Sequence, residues 1–184
     1  MTFSRRGFIG AGATSLAFAA FSARAQEDAV EAESYLNEVQ GYGALVPDPK
    51  GMIDLPPGFR YQVISQAGET MSDGLLVPGK ADGMGCFPVD AERVLLVRNH
   101  ELSVSDIHNG AFGLGERLID RIDRSKVWDF QNGQRPLPGG TTTQLYNLKT
   151  GQTERQHLSL AGTLINCCGG VTPWGSWLTC EETT

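Results

Sequence analysis

Residues 166–182 read NCCGGVTPWGSWLTCEE, and residues 85–101, earlier in the chain, read GCFPVDAERVLLVRNHE. In both stretches a Gly-x-x-Pro segment leads through a turn into an apolar strand that ends in glutamate. The continuous apolar run within residues 93–98 is typical of a buried strand bounded by turns. Repeated units of short strands indicate a β-propeller or a related repeat architecture. The alternative is a chance similarity between two strand–turn–strand units.

The rest of the chain also favours strands and turns. Residues 61–65 are rich in strand-forming side chains, and two further strands are predicted at residues 141–147 and 154–160. Residues 102–138 have mixed polar composition and several glycines, which indicates a long excursion from the sheet. With 23 glycines and no leucine heptads, the sequence predicts an all-β fold, part of a β-propeller, over residues 50–184.

The charge balance limits the partners. The chain has 15 basic and 21 acidic residues and a formal net charge of -6, whereas a protein that binds nucleic acid needs a basic surface. No apolar run is long enough to act as a stop-transfer helix, so we expect no stable membrane span in the mature protein.

An export leader is predicted at residues 1–25, followed by an N-terminal extension at residues 26–49. Its signal motif consists of Ser4, Arg5, Arg6 and Phe8. A weakly apolar stretch, residues 9–21, follows the two arginines and leads to Ala23 and Ala25, the small residues that signal peptidase accepts. Adjacent arginines in such a leader indicate export of the folded chain by the twin-arginine translocase, to the periplasm or beyond. The alternative is an ordinary secretory leader that happens to contain two arginines.

Export in the folded state favours a protein that acquires a metal before it leaves the cytoplasm. If the two stretches are repeats, Glu101 and Glu181 are equivalent and lie near the axis of the propeller. Converging carboxylates repel one another and usually accompany cations. Oxygen ligands of this kind suit calcium.

Four segments together resemble the PhoX-type bacterial alkaline phosphatases: Asp82-Gly83-Met84, Asn99-His100-Glu101, Gly139-Gly140-Thr141-Thr142 and the run 166–182. The resemblance covers residues 50–184 and implies a twin-arginine-exported β-propeller that uses iron(III) and calcium. Members of that family are much longer, and the sequence stops within a motif. We therefore expect an N-terminal fragment that is inactive by itself.

The resemblance also implies metal ligands. Cys167 is similar in position to an iron ligand of the family, and Glu181 and Glu182 are similar to further metal ligands. Glu101, or its neighbour His100, is another candidate. Each has an alternative: Cys167 as a buried residue or half of a disulfide, Glu181 and Glu182 as a solvated rim, and Glu101 as a hydrogen-bond partner of the next turn.

The implied function is a metal-dependent phosphomonoesterase, an alkaline phosphatase that releases phosphate from organic phosphate esters in the periplasm. No serine nucleophile motif, phosphate-binding loop or His-Asp triad is recognisable, so no catalytic residue is assigned. Two other readings stay open. One is another metal-dependent propeller hydrolase, phytase-like or lactonase-like, and the other is a non-catalytic periplasmic propeller that binds a partner.

Overall fold

The fold is taken from a computed structural model, which describes residues 42–131, 133 and 135–183. The leader with Ser4, Arg5, Arg6, Phe8, Ala23 and Ala25 lies outside these residues. Most of the extension at residues 26–49 also lies outside them. Within the described part of the chain, no helix has both the length and the apolar character needed to cross a membrane.

Antiparallel strands dominate the described residues, which confirms the all-β prediction. The strands are β1 (Ala81–Pro88), β2 (Arg93–His100), β3 (Phe130–Gln131), β4 (Arg135–Pro136), β5 (Gly139–Asn147), β6 (Gln152–Thr163), β7 (Asn166–Val171) and β8 (Trp177–Glu181). The helical segments are short 3-10 turns at Val104–Asn109, Leu114–Glu116, Ile119–Arg121 and Arg124–Lys126. Closure of such strands into a propeller stays a prediction.

The main sheet has four strands in the order β1-β2-β5-β6. Its second strand, β2, contains the apolar run predicted from the sequence, and it pairs with β1 on one side and with β5 on the other. The predicted strands at 141–147 and 154–160 are confirmed as parts of β5 and β6. They are joined by a tight turn in which the Gly151 N–H donates to Asn147 O at 2.9 Å.

The strand predicted at residues 61–65 is wrong, because these residues are not in a ladder. The carbonyl of Ile64 accepts hydrogen bonds from two side chains of the sheet, Gln144 Nε2 at 3.2 Å and Thr153 Oγ1 at 3.0 Å. Strand-forming side chains fit this position, but the backbone partner is supplied by side chains and not by another strand.

The hydrophobic core lies on the β6 side of the sheet. Its buried members are Met71, Leu75, Val77, Ala111, Phe112, Leu158 and Ala161. Leu118, Ile119, Ile122 and Val127, from the predicted excursion, pack against this cluster. The excursion at residues 102–138 therefore contributes apolar side chains to the core.

Residues 42–62 belong to a separate compact unit. In it, the carboxylate of Asp48 accepts hydrogen bonds from the Tyr61 hydroxyl at 2.6 Å and from the backbone N–H groups of Lys50 and Met52. The Tyr61 hydroxyl and these N–H donors lower the pKa of Asp48 to about 2. Asp48 thus ties this irregular segment together as an ion.

Candidate metal centre

The β7–β8 hairpin repeats the open end of the β1–β2 hairpin. In each hairpin the first residue of one strand faces the last residue of the other, and the ladder then shifts register before pairing resumes. The facing pairs are Ala81–His100 and Met84–Arg98 in the first hairpin, and Asn166–Glu181 and Gly169–Thr179 in the second. The same register shift at the same place in both hairpins supports the repeat seen in the sequence.

The residues that flank each ladder also match. Lys80 (φ 46°) and Ile165 (φ 49°) both have a positive φ, which is uncommon for residues other than glycine. The carbonyl of Lys80 accepts from the Glu101 N–H at 2.9 Å, and the carbonyl of Ile165 accepts from the Glu182 N–H at 3.0 Å. Glu101 is therefore equivalent to Glu182, and the expected equivalence with Glu181 is wrong. Glu181 is instead equivalent to His100, because Glu181 pairs with Asn166 as His100 pairs with Ala81.

The repeat brings four acidic groups near one another: Asp82 and Glu101 from the first hairpin, Cys167 and Glu182 from the second. Partial burial raises the pKa of the Glu101 carboxyl, and a hydrogen bond with Asp82 and the charges of Asp82 and Glu182 raise it further. The neighbours of Glu101 therefore favour the protonated form of its carboxyl.

Cys167 experiences the same field. Its thiol is half-buried, and desolvation, a hydrogen bond with Glu182 and the charges of Asp82, Glu182 and Glu101 raise its pKa to about 11. Without a cation, the thiol therefore keeps its proton at neutral pH. A nearby cation would reverse this preference.

Among the described residues that shift the pKa of Glu101, Lys80 is the cation that lowers it. Its ammonium group lies 2.8 Å from Asp106 Oδ2, so it is already paired outside the cluster. A thiol with three carboxyl groups is a donor set that fits a thiophilic metal together with a hard cation. Among the described residues, however, no three His, Cys, Asp or Glu side chains are already arranged so that they could hold an ion.

Two other candidates, Glu181 and His100, have hydrogen bonds of their own. Glu181 Oε1 accepts a hydrogen bond from the Leu164 N–H at 2.7 Å, so its carboxylate is turned to the backbone before β7. His100 is fully buried, and its ring nitrogens lie 2.9 Å from Gly79 O and 2.9 Å from Thr142 Oγ1. A carbonyl oxygen only accepts, so Nδ1 carries the proton and both nitrogens are occupied.

Close packing between β1 and β7 sets the distance between the two halves of the cluster. A Cβ on Gly83 would lie 2.8 Å from Cys167 O, and a Cβ on Gly85 would lie 2.6 Å from the indole ring of Trp177. Real Cβ atoms almost never come this close, so a larger residue at either position would force its neighbour to shift. The missing side chain at Gly83 lets Asp82 approach Cys167.

The other three cysteines, Cys86, Cys168 and Cys180, are exposed. They lie on β1, β7 and β8, each of which has several residues exposed to solvent. All four cysteines are free thiols, so the disulfide alternative for Cys167 is not realised.

Sequence reasoning missed Asp82 as a member of the cluster. Its signal was present, because Asp82-Gly83-Met84 is one of the segments that carry the family resemblance. Its proximity to Cys167 depends on strand register and on the packing of two hairpins. Neither can be derived from residue spacing.

Comparison with known proteins gives one match. The family model described as "Alkaline phosphatase PhoX" matches residues 40–184, which include all four members of the cluster. No curated protein and no solved structure matches the chain. The match covers well over half of the sequence, so this chain belongs to the PhoX alkaline phosphatase family.

Proposed function

We propose that this chain supplies part of the metal centre of a phosphomonoesterase that acts on organic phosphate esters in the periplasm. Membership of an alkaline phosphatase family supports the phosphatase chemistry. The observation that supports the metal dependence is the cluster of Asp82, Glu101, Cys167 and Glu182, which is built on two repeated hairpins. Lys80, which lowers the pKa of Glu101, is itself paired with Asp106.

The proposed ligands divide by chemistry. The carboxylates of Asp82, Glu101 and Glu182 are hard donors that suit calcium, whereas the Cys167 thiolate suits iron(III). Glu181 stays a predicted ligand by family resemblance, although its carboxylate is turned to the Leu164 N–H. When bound, such cations supply the positive charge that stabilises the phosphate oxygens and the leaving alkoxide during phosphoryl transfer.

Without a bound cation, the Cys167 thiol keeps its proton and is hydrogen-bonded with Glu182. The surroundings of Glu101 also raise the pKa of its carboxyl. Metal ligands must be deprotonated, so metal binding at Cys167 releases a proton. We therefore expect metal affinity to rise with pH.

Hydrolysis of p-nitrophenyl phosphate by the metal-loaded product of the whole gene tests the proposal. We expect hydrolysis that a calcium chelator abolishes and added calcium restores. Activity that survives complete removal of the metals would rule out the metal mechanism. A metal-loaded protein without phosphatase activity would instead favour the binding module.

Two adjacent glutamates provide a matched pair of variants. Glu182→Gln removes a charge that faces Cys167, whereas Glu181→Gln removes the same charge from a side chain bonded to the backbone. We expect Glu182→Gln to lower calcium content and activity much more than Glu181→Gln. Equal losses would place both carboxylates in the metal site.

A further inference from the structure

The side chain of Asn99 links two sheets. It projects from β2 and is fully buried, with an exposed fraction of 0%. Its amide nitrogen Nδ2 lies 3.1 Å from Cys167 O and 2.9 Å from Cys168 O. Its Oδ1 accepts from Trp177 Nε1 at 2.9 Å and from Thr179 Oγ1 at 3.0 Å. One side chain thus contacts both strands of the β7–β8 hairpin.

These bonds cross a boundary between sheets. β2 belongs to the four-stranded sheet, whereas β7 and β8 form a two-stranded sheet of their own. A buried amide with both donors and both acceptor positions used is a rigid connection, because breaking any bond leaves a buried polar group unsatisfied. Asn99 therefore fixes where the hairpin sits on β2.

The orientation of the amide is also fixed. Thr179 Oγ1 accepts from Asn166 Nδ2 at 2.9 Å, and Asn166 Oδ1 accepts from Thr163 Oγ1 at 2.5 Å. The Thr179 hydroxyl proton is consequently free to donate to Asn99 Oδ1. A flipped amide would instead point Oδ1 at two carbonyl oxygens, which offer no proton.

We propose that Asn99 is a positioning residue of the metal centre. It holds the backbone at Cys167, and through Trp177 and Thr179 the strand that leads to Glu182, at a fixed distance from Asp82 and Glu101. This inference rests on the proposed metal-dependent function. Asn99 itself touches neither substrate nor metal in this proposal.

The decisive variant is Asn99→Asp in the full chain. It has the same shape and keeps an oxygen for Trp177 and Thr179, but it turns a second oxygen toward the carbonyls of Cys167 and Cys168. The matched control is Asn147→Asp, which makes the same change at a buried asparagine of the same sheet. The Asn147 amide donates to Glu154 Oε1 at 2.7 Å and lies on β5, away from the hairpin.

The first measurement is a cobalt(II) titration of the metal-free protein, followed by the thiolate-to-cobalt absorption band. We expect the band in the wild type and in Asn147→Asp with similar affinity. Asn99→Asp should bind cobalt about 10- to 100-fold more weakly, the usual effect of losing a group that orients a ligand. Wild-type affinity and an unchanged band in Asn99→Asp would overturn the proposal.

The second measurement is amide hydrogen exchange of the metal-free protein. We expect Asn99→Asp to raise exchange selectively at residues 166–181 while β5 and β6 stay protected. Unchanged protection of the hairpin would overturn the positioning role. Loss of protection throughout the protein would also overturn it, because it would show that Asn99 contributes only to overall stability.

The two measurements separate the proposal from its premise. If the wild type gives no thiolate band, the proposed metal site fails, and the exchange experiment still decides whether Asn99 holds the hairpin. If Asn99→Asp does not fold, Trp177→Phe replaces it, because that change removes one hydrogen bond to Asn99 Oδ1 and keeps an aromatic ring. It should weaken cobalt binding and loosen the hairpin to a smaller extent, and no effect on either would overturn the proposal.

Discussion

Cys167 and Cys168 are adjacent thiols in very different surroundings. Cys167 is half-buried among Asp82, Glu101 and Glu182, which raise its pKa. Cys168 is exposed, and its Sγ lies 3.6 Å from Gly169 O. Both thiols lie in the irregular step of the β7–β8 ladder, but Cys167 is the one hydrogen-bonded with Glu182, so we expect that Cys168 cannot replace it.

Cys167→Ala should remove iron from the purified protein, because it deletes the one soft donor of the cluster. Elemental analysis of the metal-loaded protein measures the effect, and Cys168→Ala is the control that should retain iron. Full iron occupancy in Cys167→Ala would show that the ligand assignment is incorrect.

His100 should make stability depend on pH. Burial lowers its pKa to about 4 from the ordinary 6.5, even though the hydrogen bond with Gly79 O opposes the shift. Between these values the unfolded chain binds a proton that the folded chain does not. The stability due to neutral His100 is therefore complete above pH 6.5 and is lost as the pH falls toward 4, by about 3 kcal/mol.

Chemical denaturation between pH 7.5 and 4.5 measures this loss as the free energy of unfolding. The wild type should lose more stability over this range than His100→Gln, which can hydrogen-bond at the same position but does not titrate. Parallel curves for the two proteins would contradict a buried neutral histidine.

At the scale of elements, the contact between β1 and β7 depends on an absent side chain. Gly83→Ala would place its Cβ 2.8 Å from Cys167 O and 3.2 Å from Cys168 Cα, and both are backbone atoms that cannot rotate away. We expect a loss of about 1–3 kcal/mol in the free energy of unfolding, together with weaker metal binding.

Gly170→Ala is the control for this change, because a Cβ at Gly170 meets no atom within 4 Å. Thermal and chemical unfolding of both variants gives the comparison. Equal stability of Gly83→Ala and Gly170→Ala would contradict close packing between the two hairpins at Gly83.

Individual strands could be predicted from the sequence because their signals are local. The apolar run in β2 and the turn between β5 and β6 are each contained within a few residues. The relation between β1–β2 and β7–β8 could be predicted only in outline, because equivalence of Glu101 with Glu182 depends on the ladder register. For the same reason, the sequence suggests Cys167, Glu101 and Glu182 as candidate ligands but not Asp82.

At the scale of the whole molecule, the leader predicts how the protein leaves the cytoplasm. Changing Arg5→Lys and Arg6→Lys together should block export, because the translocase recognises the arginine pair. Cell fractionation should then find the uncleaved chain in the cytoplasm. Arg24→Lys, at the end of the leader, is the control that should still be exported.

Normal processing of the Arg5→Lys, Arg6→Lys variant would identify an ordinary secretory leader. That result would also remove the argument that the protein is loaded with metal before export. The proposal of a metal centre would be unaffected, since it is argued from the cluster and from the family.

The two hairpins share one backbone geometry but present different side chains at the candidate site. At one position the framework presents Asp82 in the first copy and Cys167 in the second, while Glu101 and Glu182 occupy the other position in both. A gene that carries two copies of one backbone geometry can change the ligand in one copy while the other continues to function. If the proposed ligands are correct, hard and soft metal preference can diverge in this chain by a single codon, without a new fold.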